Sequence, residues 1–140
     1  MNFELAEEFR MLRDLVDNFV NDHLLPLEPA VLEREARGEG AHITAEERER
    51  LNAVSQELGL WGLDAPEDVG GLDMPAVALV GVNEAIGKSV VPFVLPPDSP
   101  NLRMLAATVN DQQRERYLAP YVAGKTISAI AISESGAGSD

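Results

Sequence analysis

Hydrophobic residues near the start of the chain recur every three or four positions, which is the period of an α-helix with one buried face. Over residues 3–24 this stripe consists of Leu5, Phe9, Leu12, Val16, Phe19, Val20 and His23. Pro26 and Pro29 predict the end of this helix and the start of a short second one, which runs to Ala36. The start of the chain is therefore predicted to form one amphipathic helix followed by a short second helix.

A capping box marks the start of the third helix. Thr44 and Glu47 have the spacing at which a hydroxyl and a carboxylate each satisfy an unpaired amide of the first turn. The apolar period continues to Leu58, and Gly59 is the residue type expected just beyond a helix end.

The fourth predicted helix, over residues 74–88, has a different pattern. Asp73 is its expected cap, and Pro75 falls in the first turn, where a missing amide is tolerated. Apolar residues cover nearly all of its sides: Ala76, Val77, Ala78, Leu79, Val80, Gly81, Val82, Ala85 and Ile86. Such a helix is expected at the centre of a bundle, and its small residues would allow a neighbour or a ligand chain to approach closely.

Two further helices and one strand complete the pattern. Residues 102–109 predict the fifth helix, and residues 112–118 predict a short charged sixth helix, halted by Pro120. The β-branched run at 126–133 favours a strand. A single strand leaves its backbone groups unpaired, so we expect partner strands C-terminal to Asp140 or on another chain. The predicted fold class is all-α: about six helices ending in one strand.

Charge and composition exclude several classes of function. The 140 residues carry a net charge of −13, which argues against binding to nucleic acid or to an anionic membrane. The chain has no cysteine, so disulfides and thiolate chemistry are excluded. The first twenty residues are acidic, unlike a signal or transit peptide, and no apolar run is long enough to span a bilayer. A cytoplasmic protein is expected.

Candidate chemistry is sparse in the helical part. The two histidines, His23 and His42, are not accompanied by carboxylates at ligand spacing, so no metal site is predicted. Glu84, the acid inside the fourth helix, is interpreted as structural. Glycines at 136 and 138 in the final loop allow close backbone approach, but alone they are weak evidence for a cofactor site.

Four segments, in order, resemble the acyl-CoA dehydrogenase family. They are residues 58–62 with 66–71, residues 83–88, residues 111–120 and residues 131–140. The resemblance implies that residues 1–125 form the N-terminal α-helical domain. It also implies that residues 126–140 are the first strand and loop of a middle β-domain that the 140 residues do not contain.

The resemblance further implies a flavin site that uses FAD. Its cofactor-binding residues would be Ile130, Ala131, Ile132, Ser133, Gly138 and Ser139. Ser139 would also lie near the substrate thioester. Ser135 stands where the family usually has proline, so a locked φ angle is lost there. No catalytic residue is expected, because the family's glutamate base lies in a C-terminal domain.

The implied activity of the full-length protein is α,β-dehydrogenation of acyl-CoA thioesters in lipid metabolism. An electron-transfer flavoprotein or a similar acceptor is expected as partner, with a homotetramer or homodimer as the assembly. Residues 76–86 would form one wall of the acyl pocket, and the 140 residues alone would be an inactive fragment. Two alternatives stay open. One is an acyl-CoA oxidase or a nitroalkane-oxidising relative of the same fold, and the other is a non-catalytic helical subunit or truncated product that binds a partner.

Overall fold

The structure, a computed structural model, describes residues 5–97 and 101–129, together with residues 131, 135 and 136. Its α-helices are α1 (Glu7–Phe19), α2 (Glu28–Ala36), α3 (Ala45–Glu57), α4 (Ala76–Ile86), α5 (Leu102–Thr108), α6 (Asp111–Gln113) and α7 (Ala119–Val122). The described residues contain no strand, so the all-α fold class is confirmed.

Three prolines do not break helices as the sequence pattern suggested. α1 passes through a π-helical turn (Val20–Leu24) and a 3-10 turn (Leu25–Leu27) directly into α2. Pro26, Pro29 and Pro120 each lie at the start of an element, where the hydrogen-bond pattern of the continuous helix changes from one type to the next.

A second π-helical turn (Arg114–Leu118) joins α6 to α7. The described residues therefore form five continuous helical segments, the shortest spanning Leu102–Thr108, besides one short 3-10 turn (Glu67–Val69). The predicted number was six. The difference arises because the expected break between the first two helices is absent.

The predicted caps are confirmed at α3 and wrong at α4. Thr44 Oγ1 accepts a bond from the Glu47 amide at 3.1 Å, and Glu47 Oε2 accepts one from the Thr44 amide at 2.7 Å. Gly59 has a φ of +71° just beyond α3. Asp73 does not cap α4, which is preceded by Pro75 and has no side-chain cap. Instead the Asp73 carboxylate accepts a bond from Arg103 at 2.5 Å.

A capping box that the helical periodicity did not reveal begins α6. Asn110 Oδ1 accepts a bond from the Gln113 amide at 2.9 Å, and Gln113 Oε1 accepts one from the Asn110 amide at 3.0 Å. Asn110→Ala removes the side-chain half of this box, so we expect the free energy of unfolding to fall by about 1 kcal/mol. Urea denaturation followed by far-UV circular dichroism measures the change. Gln112→Ala, on an exposed side chain of the same turn, is the control and should have no comparable effect.

The main core lies between α1 and α4. It includes Val16 and Phe19 from α1 and Val82 and Ala85 from α4, each at most 4% exposed. Gly81 faces α1, and a Cβ there would lie 3.4 Å from Arg13 Cδ, an ordinary van der Waals contact. The prediction that α4 lies at the centre of a bundle is wrong, since Val77 and Val80 are 51% and 66% exposed.

A smaller core lies beneath α5 and α7, close to the end of the described chain. Its buried members are Ala65, Leu102, Leu118 and Tyr121. The chain leaves α7 and passes over this core at residues 126–129, which have no regular secondary structure. The strand and the domain boundary at residue 126 stay predictions. Within the described residues, none of the helices combines the length and apolar character needed to cross a membrane.

Candidate functional site

The predicted cofactor segment lies mostly beyond the part of the chain that the structure describes. Ala131 is described and is exposed, without regular secondary structure. The remaining predicted cofactor-binding residues lie outside the described residues: Ile130, Ile132, Ser133, Gly138 and Ser139. The structure therefore shows how the chain approaches this segment, at residues 122–129.

A tight turn sends the chain from α7 toward the predicted cofactor segment. The Gly124 amide donates to the Tyr121 carbonyl, and the Lys125 amide donates to the Pro120 carbonyl, both at 2.9 Å. Gly124 has a φ of +67°, a conformation that favours glycine. The local sequence thus determines where α7 ends and how the next residues leave it.

An apolar cavity of about 460 Å³ lies on one side of residues 126–129. We call it cavity A; its apolar lining includes Met104, Leu105, Tyr117, Pro120, Tyr121 and Ile127. At this volume it lies in the range of small-molecule sites. Tyr117 is 52% exposed and Ile127 is 81% exposed, so large apolar groups border the cavity and are open to contact.

Three polar side chains form a connected group in the lining of cavity A. Asn101 Nδ2 donates to Ser128 Oγ at 3.0 Å, and the Tyr121 hydroxyl lies 3.0 Å from the same oxygen. Asn101 is 8% exposed and Tyr121 is 3% exposed. The sequence pattern does not reveal this group, because its members lie as far as 27 residues apart.

A second cavity, of about 340 Å³, lies against the same segment and is lined by the proline-rich connection that follows α4, described at residues 89–97. We call it cavity B. Its lining includes Pro92, Val94, Pro96 and Pro97 from that connection and Arg48 and Asn52 from α3. Thr126 and Ile127 line both cavity A and cavity B. The segment that leads to the predicted flavin site therefore passes between two openings.

α4 lines a smaller cavity of about 150 Å³, which we call cavity C. The α4 residues in its wall are Leu79, Val82, Asn83 and Ile86. Val94 and Pro96 line both cavity C and cavity B. The proline-rich connection thus lies between two features. One is the surface of α4, which is predicted to form a wall of the acyl pocket, and the other is the segment that precedes the predicted flavin residues.

The ionisable groups identified from the sequence occupy structural or exposed positions. Glu84 is exposed, His23 packs its ring 5.4 Å from that of Phe19, and His42 lies in an exposed loop. Among the described residues, no group of three or more histidine and acidic side chains could hold a metal ion. Hydrogen bonding from Arg34 lowers the pKa of Glu47 to about 2. This pair joins α2 to α3. Neither residue lines cavity A, B or C.

Comparison with known proteins identifies the fold. The family profile described as "Acyl-CoA dehydrogenase, N-terminal domain" matches residues 6–125. (R)-benzylsuccinyl-CoA dehydrogenase of Thauera aromatica is 38% identical over 100% of this chain and 36% of its own length.

Two solved structures have the same fold. Acyl-CoA dehydrogenase from Geobacillus kaustophilus overlaps with a TM-score of 0.68 at 26% identity, covering 100% of this chain and 35% of that one. A chain from a structure described as the electron transferring flavoprotein of Acidaminococcus fermentans overlaps with a TM-score of 0.65 at 25% identity, covering 99% and 34%.

The chain spans about a third of the length of these relatives. Its matched residues include the whole helical bundle, from α1 to α7. The chain belongs to the acyl-CoA dehydrogenase family, whose N-terminal domain its residues 6–125 match.

Proposed function

We propose that this chain serves the FAD-dependent α,β-dehydrogenation of acyl-CoA thioesters, as the N-terminal part of the enzyme. Bound FAD would supply the acceptor for the hydride that leaves the β-carbon, while a base from outside these 140 residues takes the α-proton. The match over residues 6–125 supports the reaction class. The proposal gives this chain a binding and positioning role and no proton-transfer step.

One structural observation carries the proposal. Ile127 is 81% exposed, and it lies between cavities A and B, three residues before the predicted cofactor residues begin at Ile130. A large apolar side chain in this position is suited to contact a flat ring or an acyl chain, since burying it against such a group is favourable. This exposure supports the proposal that a flavin and an acyl group contact this segment.

The acyl group is proposed to lie along cavities B and C. Val94 and Pro96 belong to both walls, and α4 contributes Leu79 and Val82 to cavity C. These linings are largely apolar and rigid, because proline restricts the backbone. This arrangement keeps the predicted role for α4 and adds the proline-rich connection as a second wall.

The finer assignments belong to the same proposal. Contact of Ile130, Ala131, Ile132, Ser133, Gly138 and Ser139 with FAD follows from the resemblance, and so does a place for Ser139 near the thioester. An electron-transfer flavoprotein as acceptor also follows from the resemblance, and one of the matching chains comes from a structure described as an electron transferring flavoprotein. A homotetramer or homodimer and a cytoplasmic location complete the proposal.

A chimera tests the proposal directly. In it these 140 residues replace the matching segment of (R)-benzylsuccinyl-CoA dehydrogenase from Thauera aromatica, which aligns with the whole chain. We expect the purified chimera to retain bound flavin and to reduce a dye with (R)-benzylsuccinyl-CoA within about tenfold of the parent rate, a difference of about 1.4 kcal/mol in the barrier. Flavin absorbance and dye reduction are the measurements.

Two controls accompany the chimera. The 140-residue chain alone should show no dye reduction, since it lacks the base; turnover by the chain alone would contradict the proposal. A folded chimera without flavin would also contradict it and would favour a non-catalytic helical subunit. Rapid oxygen consumption in place of dye reduction would favour the oxidase alternative.

A further inference from the structure

Trp61, the one tryptophan of the chain, contacts the turn that leads to the proposed flavin segment. It follows α3 by four residues, and its Nε1 donates to the Val122 carbonyl at 3.0 Å. Val122 is the last residue of α7, where carbonyls lack intrahelical partners. The indole therefore caps the C-terminal end of α7 by a hydrogen bond to a residue 61 positions away in sequence.

The same indole lies directly beneath Gly124. A Cβ on Gly124 would lie 2.6 Å from Trp61 Cη2 and 2.9 Å from Cζ2, closer than real Cβ contacts allow. The ring thus packs against bare backbone at the residue whose φ of +67° redirects the chain. Trp61 holds this turn by a hydrogen bond on one side and by close packing on the other.

The position of the turn determines the walls of cavities A and B. Gly124 lines cavity B, and Thr126 and Ile127, two and three residues later, line both cavities. A small change in the direction at Gly124 therefore moves the side chains proposed to contact the acyl group and the flavin.

We infer that Trp61 is a positioning residue, which fixes the turn at residues 122–125 and so sets the direction in which the chain enters the flavin segment. Its effect on the flavin rests on the proposed function, whereas its effect on the turn does not. It acts through Val122 and Gly124.

Amide hydrogen exchange of the 140-residue chain tests the effect on the turn. Trp61→Phe keeps an aromatic ring but removes the N–H, so exchange of the Gly124 and Lys125 amides should become about fivefold faster, as expected for one lost hydrogen bond. Ser55→Ala is the matched control: it also removes one buried bond, from Ser55 Oγ to the Leu51 carbonyl at 2.8 Å within α3. It should leave the exchange of these two amides unchanged.

A double-mutant cycle isolates the packing contact. Gly124→Ala should accelerate exchange at the turn at least about tenfold in the natural chain and much less in a Trp61→Ala background, where the Cβ has room. The strain of a positive φ is the same in both backgrounds, so the difference reports the contact between indole and backbone. Equal effects of Gly124→Ala in the two backgrounds, or no effect of Trp61→Phe on the turn, would overturn the inference.

The chimera described above tests the effect on the flavin. Trp61→Phe should change the visible flavin spectrum and lower kcat at saturating substrate, whereas Ser55→Ala, with a similar loss of thermal stability, should leave both unchanged. Identical spectra and rates for the two variants would mean that Trp61 acts only on stability. If the parent chimera holds no flavin, the proposed function fails, and the exchange experiment still decides whether Trp61 fixes the turn.

Discussion

Gly71→Ala is expected to lower the free energy of unfolding by about 3–5 kcal/mol, among the largest effects of a single substitution in this chain. A Cβ on Gly71 would overlap the carbonyl oxygen, the carbonyl carbon and the Cβ of Ala65. Ala65 is 1% exposed, and its carbonyl also accepts the Asp73 amide at 2.9 Å, so the neighbouring backbone cannot yield easily. Urea denaturation followed by circular dichroism gives the measurement.

The neighbouring glycine provides the control. Gly70 has a φ of +87°, but a Cβ added to it would have no other atom within 4 Å, so Gly70→Ala should lower the free energy of unfolding by only about 1–2 kcal/mol. The two substitutions add the same methyl group to adjacent residues of one loop. A loss below about 1 kcal/mol for Gly71→Ala, or equal losses for the two, would show that the loop adjusts to the added group.

The same substitution should affect the proposed acyl pocket. The loop that contains Gly71 is bonded to the proline-rich connection, since the Gly62 amide donates to the Pro96 carbonyl at 2.8 Å. The Leu72 amide in turn donates to the Gly62 carbonyl at 2.8 Å. We therefore expect a displacement at Gly71 to be transmitted to Pro96, which lines cavities B and C. In the chimera, Gly71→Ala should reduce activity even at temperatures where the variant stays folded.

Signals that depend on neighbouring residues were predicted well from the sequence. The Thr44 capping box and the positive φ at Gly59 follow from residue types within one helical turn, and the structure confirms both. The prolines show the limit of the same reasoning. Proline disfavours the interior of a regular α-helix, but the π-helical turn before Pro26 changes the hydrogen-bond pattern there, and residue types alone did not reveal that turn.

Features that depend on tertiary contacts could not be predicted in the same way. Asp73 has a residue type that suits a cap, but it bonds to Arg103, a residue 30 positions away. Val77 and Val80 have the residue type of a core position, yet they are exposed on α4. The indole of Trp61 meets Val122 only because the segment after α3 and the end of α7 come together in the fold. Hydrophobic periodicity contains no information about such pairings.

An ion pair with two hydrogen bonds joins α2 to the start of α3. Arg34 donates from Nη2 to Glu47 Oε1 at 2.7 Å and from Nη1 to Oε2 at 2.9 Å. The same Nη1 donates to the His42 carbonyl at 2.9 Å, so the loop between the helices is held as well. Hydrogen bonding from Arg34, with a further contribution from the Thr44 amide, lowers the pKa of Glu47 to about 2.

When a carboxyl group has a lower pKa in the folded state than in the unfolded state, its charged form stabilises the fold. The full contribution is present only at pH values at which the carboxylate is charged in both states. The contribution of Glu47 is therefore complete above its ordinary pKa of 4.5 and is lost as the pH falls toward about 2. We expect it to amount to about 1–2 kcal/mol, less than the shift alone would imply, because the pair lies close to solvent.

Glu47→Gln removes the charge but keeps the capping box, since glutamine at this position can also accept the Thr44 amide. At pH 7 the variant should be about 1–2 kcal/mol less stable than the natural chain, and the difference should shrink to near zero as the pH falls from 4.5 to about 2. Glu46→Gln, on the exposed neighbouring residue, should leave stability at pH 7 within about 0.5 kcal/mol of the natural chain. Urea denaturation at a series of pH values gives the free energy of unfolding of each variant as a function of pH. If the curves of Glu47→Gln and the natural chain are parallel from pH 4.5 to about 2, the charge of Glu47 contributes nothing to stability through Arg34.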